Sequence, residues 1–107
     1  MGAERSRHVL VLGADVRDDS LYQRYREKMT PILERHGGTF GYDLLVSRVL
    51  KSESGTPMNR VFTIVFPDRS SAERFFANPE YRSVREQLFE PAVRSLTKIA
   101  AFDEVVR

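Results

Sequence analysis

The groups that could do chemistry here are few: two histidines, four tyrosines and an acid set in an apolar strand. His36 closes the segment "PILERHGG". Histidine as a residue type has an unperturbed pKa near neutrality, the range a general acid–base needs. A structural role competes, because a histidine in a last helical turn bonds a free carbonyl and suits the negative end of the dipole. Asp43, in "FGYDLLV", needs a cationic partner, a pocket or a solvated edge to sit in such a strand. Arg48, or an arginine of a second copy, is the partner considered. Tyr25 lies on the apolar stripe of the preceding helix, where its hydroxyl can reach a pocket rim. His36, Asp43 and Tyr25 are the candidate catalytic residues, and Tyr22, Tyr42 and Arg48 the candidate binding residues. An active pocket would bring Asp43 or His36 within hydrogen-bond reach of Tyr25 or Tyr42. Packing is the competing role for the tyrosines.

Other chemistries are disfavoured. Without cysteine there is no disulfide, thiolate nucleophile or Cys-based metal site. The histidines form no HxH or HxxxH pair, so no metal is expected. "GADVRDD" lacks the glycine spacing of a phosphate loop, no dinucleotide fingerprint or Ser-His-acid set occurs, and no cofactor is expected. Seventeen Lys and Arg against fifteen Asp and Glu leave a net charge of +2, with the signs interspersed as in "RDDSLYQRYREK". A nucleic-acid surface would gather them into a patch, so no nucleic-acid partner is expected. No apolar run approaches the roughly 20 residues of a membrane helix, and the expectation is a soluble cytoplasmic protein.

The elements follow from periodicity. "HVLVLGADV" (His8–Val16) reads as a strand. Leu21, Tyr25, Met29, Ile32, Leu33 and His36 then recur at helical spacing, with Asp18, Asp19 or Ser20 as cap. Pro31 predicts a kink or short break near Lys28–Thr30. Gly37-Gly38 ends the helix, one glycine taking the left-handed conformation, and Gly41 marks a bulge or close packing. Thr39–Leu50 is a second strand, with Phe40, Tyr42, Leu44 and Val46 in one phase. "RVFTIVF" (Arg60–Phe66) is the clearest strand. Asp68 and a Ser70–Glu73 capping box open the next helix, and Asn78-Pro79 restarts it. Lys98–Val106 is the last strand.

The order β-α-β-β-α-β over one domain, residues 1–107 with 1–7 as a flexible N-terminal tail, is the split βαβ pattern. It predicts an α+β, ferredoxin-like fold: a four-stranded antiparallel sheet with both helices on one face. A one-sided sheet should alternate apolar with polar residues. Here Val9 and Val11 oppose Leu10 and Leu12, and Val61, Thr63 and Val65 oppose Phe62, Ile64 and Phe66. An apolar face left uncovered predicts a homodimer packed through the open sheet face.

"DDSLYQRY", "HGGTF" and "VFTIVFPDRSSAERFFANPEY" resemble, in order, segments of domain-of-unknown-function family 1330 (DUF1330) in the dimeric α+β barrel superfamily. The last is the most distinctive, through Phe66, Pro67, Ala72, Asn78, Pro79, Glu80 and Tyr81. The sequence departs from that pattern at Asp43-Leu44, where an Arg-Gly pair is usual, and at Val65. The resemblance implies a ferredoxin-like fold and a homodimer. Wider relatives include small monooxygenases, isomerases and ligand-binding modules, which is analogy by fold. The functional expectation is a protein binding or transforming a small apolar or aromatic molecule between sheet and helices. The alternative is a non-catalytic dimeric structural or ligand-sensing module.

Overall fold

The computed structural model describes residues 5–106. Four strands, β1 (Arg5–Val16), β2 (Thr39–Leu45), β3 (Arg60–Phe66) and β4 (Val93–Val106), form an antiparallel sheet in the order β2-β3-β1-β4. Helix α1 (Asp19–Arg35) links β1 to β2. Between β3 and β4 come α2 (Arg69–Ala77), α3 (Pro79–Val84), a π-helical turn (Arg85–Phe89) and the single turn α4 (Glu90–Ala92). This is the order that the split βαβ pattern requires.

The two phases of the central strands have separate roles. Leu10, Leu12 and Ala14 of β1 lie in register with Ile64 and Phe62 of β3 and face the helices. Against them pack Tyr22, Tyr25, Met29, Ile32 and Leu33 of α1, with Phe75, Tyr81 and Phe89 from the second crossover. Each large apolar side chain so buried contributes roughly 1.5–3 kcal/mol before conformational entropy is charged against it. Val9 and Val65 are buried too, yet stand outside this core, among their own strand neighbours on the other face. That face continues through Leu44, Ile99 and Phe102, which are 52, 49 and 42% exposed. From the loop before β3, Met58 reaches over Gly13 there, beside Ile99.

Local chemistry explains where the elements stop. The Asp18 side chain caps α1 by accepting from the Leu21 N–H, and Asp68 caps α2 by accepting from Ser71. The expected Ser70–Glu73 box is replaced by that single cap, and Glu73 pairs instead with Arg69. Helix α1 runs unbroken through Pro31: the buried Met29, Ile32 and Leu33 hold both sides of it on the sheet, which outweighs one lost backbone bond. At its end the Gly38 N–H donates to the Leu33 carbonyl and the Gly37 N–H to Glu34, with Gly37 at φ +75°, a Schellman closure.

Three boundaries differ from the sequence reading. Strand β1 begins at Arg5, so residues 5–7 of the expected tail pair with β4, while 1–4 lie outside the described residues. Strand β4 begins at Val93 because the long β1 offers partners as far as Val16. Strand β2 ends at Leu45, and the chain turns away beyond Val46, whose N–H donates to the Asn59 carbonyl.

Candidate functional site

The six residues singled out in the sequence fall into separate surroundings. A bulge in β2 between Phe40 and Asp43, at Gly41, breaks the alternation. It puts Asp43 on the helix side with Phe40 and sends Leu44 to the open face. Asp43 there meets Arg26 at 3.0 Å and Arg60 at 4.0 Å. These two arginines, rather than Arg48, are its partners. Their guanidinium groups lie on aromatic faces, Arg26 at 3.5 Å from the Phe40 centroid and Arg60 at 4.9 Å from that of Tyr22. Tyr22 is fully buried beneath them. Tyr25, also buried, shares a 2.8 Å hydroxyl–hydroxyl bond with Tyr81 and packs on Phe89. Burial drives the Tyr25 phenol well above its ordinary value and raises those of Tyr81 and Tyr22.

His36 stands elsewhere, with Nε2 at 3.1 Å from the Asn78 amide and its ring edge-on to Phe75. Asn78 also caps α3, so His36 braces the junction between α2 and α3. Tyr42 is 70% exposed, its N–H donating to Thr63 Oγ1. Arg48 is exposed beyond β2 and makes no ion pair among the described residues. Neither Asp43 nor His36 bonds Tyr25 or Tyr42.

A larger concavity of about 730 Å³ opens on the helix side of β1 and β4. It exists because α2 is short. Asn78 takes extended backbone and redirects the chain, so that α3 packs against α1 through Tyr81 and Tyr25, leaving β4 without a helix over it. The floor is Leu10 and Leu12 of β1 with Leu96 and Ala101 of β4, and the wall is Ala72 and Phe76 of α2. Charge sits at the rim: Arg69, Glu73, Arg82 and Lys98. His8 also lines it, one strand pleat from Leu10.

His8 and Asp103 are register partners on adjacent strands, and Nδ1 lies 2.8 Å from Oδ1. An ionised carboxylate only accepts, so Nδ1 carries the proton and donates it, and in a neutral ring the lone pair then lies on Nε2. The His8 side chain is 11% exposed and that of Asp103 69%. No buried side-chain nitrogen or oxygen among the described residues lacks a partner. Nε2 of His8 makes no hydrogen bond among them, and His8 lines the groove.

Residues 9–102 match the family described as Domain of unknown function (DUF1330). The chain belongs to the DUF1330 family. Solved structures similar to this DUF1330 protein include a protein of unknown function from Rhodopseudomonas palustris, 18% identical over 98% of this chain and 85% of that one, with a TM-score of 0.67. A Dabb-family protein with a ferredoxin-like fold from Mesorhizobium loti is 17% identical, over 98 and 99% of the two chains, at 0.59. An uncharacterised NIPSNAP-like domain protein from Burkholderia xenovorans is 12% identical, over 98 and 86%, at 0.58. These likenesses establish the ferredoxin-like fold. None of the curated proteins matches the sequence.

The groove of this DUF1330 domain escaped the sequence reading because its parts are scattered. His8 and Asp103 are 95 residues apart and meet only through the pairing of β1 with β4. One signal was available: His8 shares the phase of Leu10 and Leu12, so it points wherever those side chains point.

Proposed function

We propose that this DUF1330 protein is a homodimer that binds a small apolar or aromatic molecule in the groove between β1, β4 and α2. The observation that carries this reading is the groove itself. Its volume of about 730 Å³ suits a small molecule, and its apolar floor with a charged rim is the usual composition of such sites. A smaller depression of about 440 Å³ adjoins Arg26 and Asp43. It is the weaker choice, because Asp43 is already engaged by Arg26 and Arg60.

The open sheet face supports the dimer. Val9, Val11, Val61 and Val65 form a central uncharged stripe, flanked by the exposed Leu44, Ile99 and Phe102. A second copy presents the same apolar stripe, and two such sheets can pack face to face about a two-fold axis. The helix-side groove lies across the sheet from this contact and stays open to ligand. The alternative of a non-catalytic structural or ligand-sensing module draws on the tightly bonded tyrosine interior, where Tyr25 and Tyr81 are each other's hydroxyl partners among the described residues. A thermal-shift screen against aromatic and aliphatic metabolites tests the binding reading. Ligands raising the melting temperature of the native protein but not of Ala72→Trp, which fills the groove wall, support it. Equal shifts for both proteins would place binding elsewhere.

A further inference from the structure

The groove holds an unused pair. His36 has its Nε2 committed to Asn78, whereas His8 lines the cavity with Nδ1 committed to Asp103 and with no hydrogen bond at Nε2 among the described residues. Both members sit on long paired strands rather than loops, so their geometry is fixed by the β1–β4 register. Charge at the rim is unbalanced. Arg69 is paired with Glu73 at 3.3 Å. Arg82 spends Nε on the Phe76 carbonyl at 3.2 Å, and Lys98 makes no ion pair among the described residues. Two cations therefore remain for an anionic group beside an apolar floor.

Given the groove as binding site, we infer that it is a proton-transfer centre for an aromatic 2-oxo acid: Arg82 and Lys98 hold the carboxylate, Leu10, Leu96 and Phe76 take the ring, and His8 Nε2 is the base. The C–H bond next to the carbonyl breaks. Its proton goes to Nε2, and its electron pair forms the C=C of the enolate. The imidazolium that results is stabilised by Asp103 through Nδ1–H. Returning the proton to oxygen gives the enol, and returning it to carbon restores the acid, so nothing is oxidised or reduced. Asp103 is a positioning residue, since it acts through His8.

Phenylpyruvate is the test probe, with exchange of its benzylic protons for deuterium followed by NMR against a buffer blank. The native protein should exchange them well above the blank. His8→Gln should lose about 10²-fold or more, the scale of a positioned general base. Asp103→Asn should lower the maximal rate, and nitrogen-15 NMR should show Nδ1 of His8 losing its fixed proton. Arg82→Gln with Lys98→Gln should raise the half-saturating concentration while sparing the maximal rate. Groove methyl shifts of Leu10 and Leu96 report binding separately in every variant, and melting temperatures report folding. Phenylpyruvate that shifts these methyls but exchanges no faster than in buffer, or as fast with His8→Gln, overturns proton transfer and leaves the binding site standing. Phenylpyruvate that shifts none of them overturns the assigned substrate, and binding at the groove then stands or falls by the thermal-shift screen.

Discussion

Asp43 shows how one carboxylate can organise its neighbours. It neutralises Arg26 and Arg60, whose side chains are only 15 and 14% exposed. Asp43→Ala leaves Arg26 without its counter-ion, while Arg60 keeps Asp19 at 3.3 Å, and should lower unfolding stability by about 1 kcal/mol in urea titration, because Asp43 itself is partly solvated. The buried phenols give a second outcome. Their folded-state values are raised above 10.0 by burial, Tyr25 most of all. Groups raised in this way contribute stability that is complete below the unfolded value of 10.0 and is lost as pH climbs through the folded values. Alkaline titration by phenolate absorbance should therefore show an early exposed fraction and a late one that coincides with unfolding. Tyr25→Phe should shrink the late fraction. Residue identities suggested pockets around these tyrosines. What the sequence hid was that Tyr25 spends its hydroxyl on Tyr81, because that contact depends on where Asn78 redirects the chain.

At the scale of elements, β3 and α1 were legible because each carries its own evidence. β3 is apolar in both phases, and α1 has a stripe, an Asp18 cap and a Gly37-Gly38 stop. The start of β1, the end of β2 and the start of β4 were not legible, since a strand extends as far as its partner allows, and partners are remote in sequence. The bulge at Gly41 was foreseen, but its consequence was not: it reverses the faces of Asp43 and Leu44. Gly37→Ala should destabilise by roughly 1 kcal/mol through its positive φ, with crowding by Pro67 adding to this. Gly38→Ala should also destabilise, by pushing a methyl into Leu33 and Phe66. Thermal melting of the two variants checks both. A pair of unchanged melting temperatures would mean the helix end is not closed as described.

Across the whole molecule, a sheet apolar on both sides is the feature that composition alone could not reveal and strand phase could. The fold followed from element order, and the two-sidedness of β1 and β3 gave the open face. The groove did not follow, because it arises from something absent, a helix over β4. Phe102→Asp or Val11→Asp, placed on the open face, should turn a dimer of 12.3 kDa chains into monomers in light scattering. A native protein already monomeric at micromolar concentration would refute the dimer.

The most direct measurement is methyl NMR of the native protein titrated with a ligand found by thermal shift. The groove account expects shifts at Leu10, Leu12 and Leu96, with Leu44 and Leu45 on β2 unmoved. Shifts confined to β2 and the Arg26–Asp43 region, with the groove methyls silent, would contradict it.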